Sequence, residues 1–243
     1  MGGVFARGLL TNGLPVYPVT RTMDVQTEAN ATPEPEFVLI AVGEKDLHPT
    51  LAQIPAQWHS KLALLQNELL PRDWQAYPFT QPTIISVWFE KKKGQDAKVL
   101  LPSPVFGPHA PTLKNAMGCL DIPFRIVDSA TEMQYELVRK NVYIITTNVA
   151  GLRTRGTVFE LWRDHEELAR AVAYDVMDIQ QTLVDQKLPR TQLIDGMLEA
   201  FAGDPEHKCM GRSAPARLKR ALQQADEAGL EVATLRQIAA ETL

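Results

Sequence analysis

The run at residues 36–42, EFVLIAV, constrains the fold of this 243-residue chain more than any other segment. Its apolar side chains follow one another without alternation, which is typical of a strand buried on both faces of a parallel sheet. A second apolar run, at residues 61–65, has the same character. Between the two runs, Asp46 is predicted to cap a helix that extends to about residue 59.

Helix and strand also alternate before these runs. Apolar side chains recur at helical spacing over residues 4–10, Asn12-Gly13 has the composition of a C-cap, and residues 15–19 form a predicted short strand. The order helix, strand, helix, strand, with short connections, indicates a doubly wound α/β sheet.

A β-hairpin is predicted next. Residues 83–90 and 97–106 are β-rich, and the polar stretch KKKGQD, which begins with Lys91, Lys92 and Lys93, joins them as a solvated turn. A helix at 111–118 and a strand at 124–127 follow.

Beyond the capping pair Asp128-Ser129, β signals nearly vanish. Long helices are predicted at residues 131–149, 157–184, 190–202 and 214–229. The fold class predicted is therefore an α/β Rossmann-like domain over residues 1–129, with a parallel sheet and a hairpin, followed by an all-α domain over residues 130–243.

Composition excludes several classes of function. The formal charge of −4 and the pI of about 5.8 give no basic field for nucleic acid or an acidic membrane surface. Cys119 and Cys209 form no CxxC pair, so neither a disulfide framework nor a metal site is expected. Since no signal peptide or membrane span is evident, we expect a cytoplasmic protein with a small-molecule partner.

The beginning of the sequence suggests a nucleotide site. Gly2 and Gly3 open the first predicted helix, where a dinucleotide-binding fold places the last glycine of GxGxxG and binds pyrophosphate on backbone N–H groups. The strand and earlier glycines of that motif are missing, so we expect them in frame upstream of Met1. Glycines that merely cap a helix are the alternative.

Two further residues lie where such a fold binds its ligand. Arg21 follows the predicted strand at 15–19, where a guanidinium would pair with a ribose 2′-phosphate and favour NADP over NAD. Asn67 ends the buried run at 61–65, where its amide could bond a ribose or substrate hydroxyl. An exposed loop arginine and a turn asparagine are the ordinary alternatives.

The first long helix of the second domain places four side chains on one face at i, i+4 spacing: Glu136, Lys140, Ile144 and Asn148. A lysine beside a reacting carbonyl can donate a proton to the developing alkoxide, especially where desolvation lowers its pKa. The alternative is a solvated stripe with a Glu136–Lys140 surface pair.

Together and in this order, these segments resemble ketopantoate reductase (2-dehydropantoate 2-reductase) and its relatives. The matching stretches are MGGVFARGLLTNGLPVYPVTR, FVLIAVGEKDL, LALLQNELL and DIPFRIVDSATEMQYELVRKNVYIITTNVAGL, which span most of residues 1–155. The resemblance implies a two-domain reductase that transfers a hydride from NADPH to a 2-keto acid or related carbonyl.

On this resemblance, Lys140 is the general acid, and Asn67 and Asn148 position substrate and cofactor. The resemblance also implies a cofactor site formed by Gly2, Gly3, Arg21, Lys45 and Asn67. A homodimer is the base-rate expectation.

The sequence also departs from the family pattern. Ile144 replaces an asparagine, Gly43 a lysine, and Glu68 the glycine of LQNG; Cys209 precedes Met210 where a Ser-Met pair is typical. The family's substrate-binding glutamate has no clear counterpart. A non-catalytic dinucleotide or metabolite sensor, or an interaction module that binds no cofactor, therefore stays open beside the reductase.

Overall fold

A computed structural model describes residues 1–91 and 94–243. Lys92 and Lys93, in the predicted hairpin turn, lie outside the described residues. The chain divides into two compact units, Met1–Leu137 and Val138–Leu243. The division falls within one long helix, and the domain boundary predicted from the sequence lies at the start of that same helix.

The first unit is built on a five-stranded mixed sheet. The first unit has seven described strands, five in this sheet and two in a separate pair. They are β1 (Val38–Ile40), β2 (Leu62–Leu64), β3 (Thr83–Ile85), β4 (Phe89–Glu90), β5 (Lys98–Val99), β6 (Ser103–Phe106) and β7 (Phe124–Ile126). The sheet has the order β1-β2-β3-β6-β7, while β4 and β5 form a separate pair. All neighbours in the sheet are parallel except β3 and β6.

The first unit also contains five described helices, all of them short. They are α1 (Gly2–Thr11), α2 (Val25–Ala31), α3 (Leu47–Leu51), α4 (Pro71–Gln75) and α5 (Ala110–Gly118). Phe5 of α1 packs against Phe89 and Phe124, with ring centroids 6.1 and 6.0 Å apart. A Cβ on Gly8 would lie 2.7 Å from the Ala116 carbonyl oxygen. Helices α1 and α5 are therefore so close at this point that only a glycine fits between them.

Two predicted elements of this unit are wrong. Residues 15–19 form no strand, because Pro15 and Pro18 lack N–H donors and no neighbouring strand accepts the segment. Among the described strands, β1 pairs only with β2, and none precedes α1. The helix predicted from Asp46 to about residue 59 ends at Leu51, and Pro55 then opens a separate 3-10 turn, Ala56–Trp58.

The predicted hairpin is confirmed, but it is divided between two sheets. β3 pairs with β6 in the main sheet, and β4 pairs with β5 beyond it. The strand predicted over residues 97–106 is interrupted at Leu100, Leu101 and Pro102, which separate β5 from β6.

The second unit is helical. Its helices are α6 (Ala130–Thr154), which begins in the first unit, α7 (Val158–Val184), α8 (Arg190–Gly203), α9 (Ala214–Glu227) and α10 (Ala233–Thr242). The capping signal at Asp128-Ser129 is confirmed, since the Glu132 N–H donates to Ser129 Oγ at 3.1 Å. Helix α10 was not predicted. None of the helices, over the described residues, is long and apolar enough to cross a membrane.

Candidate functional site

In the first unit, the N-terminus of α1 meets the carboxyl end of β1. A Cβ on Gly2 would lie 3.2 Å from Ala41 Cβ, directly after β1, whereas a Cβ on Gly3 would have no neighbour within 4 Å. Gly2 therefore allows the close approach, and Gly3 is not needed for packing. The first backbone N–H groups of a helix at the carboxyl edge of a parallel sheet form the kind of place where phosphate binds.

Gln66 holds the carboxyl ends of β1 and β2 together. Its buried side-chain amide donates to the Ile40 carbonyl oxygen at 2.6 Å and to that of Val42 at 3.4 Å. Its Oε1 accepts from the Leu65 N–H at 3.2 Å. This role was not predicted from the sequence, although the LQN motif contains the residue.

Asn67 projects beside Gln66 into the loop that follows β1. Its Nδ2 donates to Glu44 Oε1 at 3.1 Å. The next residue, Glu68, has a φ of 62°, in the left-handed region that a glycine adopts without strain. Glu68, in place of the glycine of LQNG, therefore adopts the same left-handed turn conformation at a cost of roughly 1 kcal/mol in backbone strain.

The two predicted cofactor-binding cations lie at the same loop. Lys45 is exposed in the 3-10 turn Glu44–Asp46, and Arg21 Nη2 lies 3.4 Å from Asp46 Oδ2. The Arg21 side chain is 90% exposed. The structure thus brings Arg21, Lys45 and Asn67 to one turn of the first unit, in which Asp46 competes for the guanidinium.

In the second unit, Lys140 and Asn148 lie on one face of α6, as predicted. Lys140 is half-buried, and its Nζ lies 5.4 Å from the centroid of the Tyr143 ring. Burial, and secondarily the charge of Arg217, lowers the pKa of Lys140 to about 7. Because Glu136 and Asn148 on this face are buried too, the solvated-stripe alternative is wrong.

Asn148 is held from two sides. Its Nδ2 donates to the Cys209 carbonyl oxygen at 3.1 Å, and its Oδ1 accepts from Arg217 Nη1 at 2.8 Å. A Cβ on Gly151 would lie 2.7 Å from Cys209 Cβ, so a glycine is required where α6 meets this segment. Burial raises the pKa of the Cys209 thiol to about 11, which keeps the thiol neutral.

Arg217 belongs to this cluster but was not predicted from the sequence. It is buried on α9, on the face that carries Ala214, Leu218, Ala221 and Ala225. An arginine on an otherwise apolar helix face could have indicated a buried polar cluster, because a buried guanidinium needs polar partners.

The architecture corresponds to a known fold. An α/β unit with a mixed five-stranded sheet, followed by an all-helical unit that starts on a long shared helix, is the fold of ketopantoate reductases, and the predicted fold is confirmed. No protein-family model matches the sequence, and a search of curated proteins finds no match either.

Three solved structures illustrate the likeness. The PanE/ApbA family ketopantoate reductase from Ralstonia eutropha matches with a TM-score of 0.67 at 15% identity, covering 99% of this chain and 92% of that one. The dimeric ketopantoate reductase from Staphylococcus aureus matches with a TM-score of 0.56 at 19% identity, covering 85% of this chain and 76% of that one. D-mandelate dehydrogenase, solved with NADH, matches with a TM-score of 0.64 at 13% identity, covering 100% of this chain and 94% of that one. At these identities the likeness concerns the fold.

Proposed function

We propose that this protein is an NADP-dependent reductase that acts on a 2-keto acid or a related carbonyl, with Lys140 as general acid. The observation that carries the proposal is a half-buried lysine whose pKa is lowered to about 7. It lies on the face of α6 that also carries Asn148, whose Oδ1 accepts from Arg217. Shared fold with ketopantoate reductases and with an NADH-binding dehydrogenase supports the reaction class.

Lys140 suits proton donation near neutral pH. A general acid works best when its pKa lies close to the working pH, since it is then protonated and still gives up its proton readily. In the proposed reaction, Lys140 Nζ donates a hydrogen bond to the carbonyl oxygen and transfers a proton to it as charge develops. Asn148, held by Cys209 and Arg217, orients the group that bears this oxygen.

The cofactor is assigned to the carboxyl edge of β1 and β2. NADPH, when bound, supplies the hydride. Gly2 fits the pyrophosphate, because it lies at the helix N-terminus, where a Cβ would already be in tight contact with Ala41 Cβ at 3.2 Å. Gly3 and Asn67 would line the same site, and Arg21 and Lys45 would bind the 2′-phosphate, with Arg21 exchanging Asp46 for the ligand.

The test compares Lys140→Ala with Lys219→Ala, an exposed lysine of α9 in the same unit. NADPH oxidation is followed across a panel of 2-keto acids, and NADPH binding is measured by fluorescence titration. We expect Lys140→Ala to lose roughly 10²- to 10⁴-fold in kcat while its NADPH affinity stays within twofold. Unchanged turnover by Lys140→Ala, with Lys219→Ala also unaffected, would remove Lys140 as the acid.

A second candidate function is a non-catalytic dinucleotide or metabolite sensor with the same fold. Ile144 favours it, because this residue supplies no polar group on the face between Lys140 and Asn148. Tight NADPH binding without oxidation by any 2-keto acid of the panel would select the sensor.

We also propose a homodimer in the cytoplasm, supported by the dimeric state named for the Staphylococcus aureus enzyme. Sedimentation equilibrium decides between a monomer and a dimer of a 27.1 kDa chain.

A further inference from the structure

Asp46 is the acidic neighbour of the arginine assigned to the ribose 2′-phosphate. Its Oδ2 lies 3.4 Å from Arg21 Nη2, and its side chain is 38% exposed. Asp46 stands directly before helix α3, yet among the described residues its carboxylate makes no capping hydrogen bond to that helix. The carboxylate is therefore directed to Arg21 rather than to the helix that follows it.

The charges at this turn balance one another. The turn Glu44–Asp46 carries two carboxylates and the Lys45 ammonium, and Arg21 adds a second cation. Gly43, which replaces a lysine of the family pattern, adds no charge, and a Cβ there would lie 4.0 Å from Asp46 Oδ2. A site selective for a phosphate with nearly two negative charges should carry a positive field, whereas these four side chains cancel.

The two nicotinamide cofactors differ at the adenosine ribose. NADH has a 2′-hydroxyl, which donates to a carboxylate, while NADPH has a 2′-phosphate, which a guanidinium binds through two parallel hydrogen bonds. A carboxylate 3.4 Å from that guanidinium repels the phosphate and competes for the same N–H donors. Arg21 and Asp46 therefore bring together the groups that recognise each cofactor. D-mandelate dehydrogenase, which shares this fold, was solved with NADH.

We propose that Asp46 determines cofactor specificity: it accepts a hydrogen bond from the 2′-hydroxyl of NADH, opposes the 2′-phosphate of NADPH, and so lets the protein bind both cofactors. This role rests on the proposed function for the location of the cofactor site, but it involves neither Lys140 nor turnover. Because the Arg21–Asp46 pair is exposed and screened by salt, we expect the wild-type Kd values for NADPH and NADH to differ by less than about tenfold.

The test measures both affinities in Asp46→Asn, which keeps the shape of the side chain and removes its charge. NADPH and NADH are titrated by fluorescence into the full chain at low ionic strength. We expect the Kd for NADPH to fall roughly 3- to 10-fold, because the repulsion is removed. The Kd for NADH should rise roughly 3- to 10-fold, because an amide oxygen accepts a weaker hydrogen bond than a carboxylate does.

Opposite shifts separate recognition of the ribose from a structural effect, which would move both Kd values in the same direction. The control is Asp121→Asn, an exposed aspartate of the same unit whose φ of 55° an asparagine adopts readily. It removes the same charge from the chain and should leave both Kd values within about twofold. A wild-type preference for NADPH above about 100-fold, or Kd values that stay unchanged or move together in Asp46→Asn, would overturn the role of Asp46.

The proposed function fails in a different way. A protein that shows the opposite shifts but oxidises neither cofactor with any 2-keto acid keeps Asp46 as the specificity residue and loses the reductase. A protein that oxidises NADPH and is insensitive to Asp46→Asn keeps the reductase and loses the role of Asp46. Absence of binding of both dinucleotides overturns the two together.

Discussion

The two units present functional groups in opposite ways. In the first, the candidate residues lie at an exposed sheet edge: Arg21 is 90% exposed, and a glycine provides the contact with Ala41. In the second, the candidate groups are side chains withdrawn from water, and the pKa of Lys140 is lowered to about 7. Under the proposed function, backbone geometry would prepare one region for a phosphate-bearing ligand, whereas desolvation would prepare the other for proton transfer.

The largest expected effect is on the pH dependence of turnover. A lysine with a pKa of about 7 loses its proton as the pH rises through 7, and only the protonated form donates. We therefore expect kcat/KM to be level below about pH 7 and to fall roughly tenfold per pH unit above it. The steady-state pH profile measures this dependence. A value of kcat/KM that stays level up to pH 9 would contradict a desolvated general acid in the second unit, and with it the difference between the two units.

The next effect concerns the close contact that holds Asn148 in place. Gly151→Ala would put a Cβ 2.7 Å from Cys209 Cβ and 3.0 Å from the Met210 nitrogen, which is backbone and cannot rotate away. We expect a loss of about 1–3 kcal/mol in the free energy of unfolding by urea. The control is Gly211→Ala, which meets nothing within 4 Å and should change the stability by less than about 0.5 kcal/mol. Equal stability of both variants would show that α6 can move away from this segment.

The smallest effect on stability is expected at the exposed edge. Removing Arg21 breaks only an exposed pair with Asp46, so Arg21→Ala should change the free energy of unfolding by less than about 0.5 kcal/mol. It should nevertheless raise the Kd for NADPH roughly tenfold and leave that for NADH unchanged, since only NADPH carries the 2′-phosphate. Arg7→Ala, an exposed arginine of α1, is the control. An equal loss of affinity for both cofactors would remove Arg21 from the phosphate site.

Local signals in the sequence predicted more of the structure than non-local ones did. The Ser129 cap and the start of α6 were predictable, because a cap is decided within four residues. The strand predicted at residues 15–19 failed because β-structure requires a neighbour, which no local pattern guarantees. The helix predicted from the capping signal at Asp46 was too long, because Pro55 opens a separate 3-10 turn.

The candidate site was predicted in the same uneven way. The common face of Lys140 and Asn148 followed from helical periodicity alone. Arg217 approaches that face from α9, 69 residues after Asn148 along the chain, so only tertiary packing reveals it. Gln66 was missed because its partners, Ile40 and Val42, belong to a different strand and loop.

The most direct test of the contrast between the two units is the pKa of Lys140 itself. Lysines labelled with ¹³C at Cε are titrated by NMR between pH 5 and 12, and the Lys140 resonance is assigned as the one missing from Lys140→Arg. The structure predicts a midpoint near 7 for Lys140. A Lys140 midpoint near 10 would contradict a desolvated general acid in the helical unit.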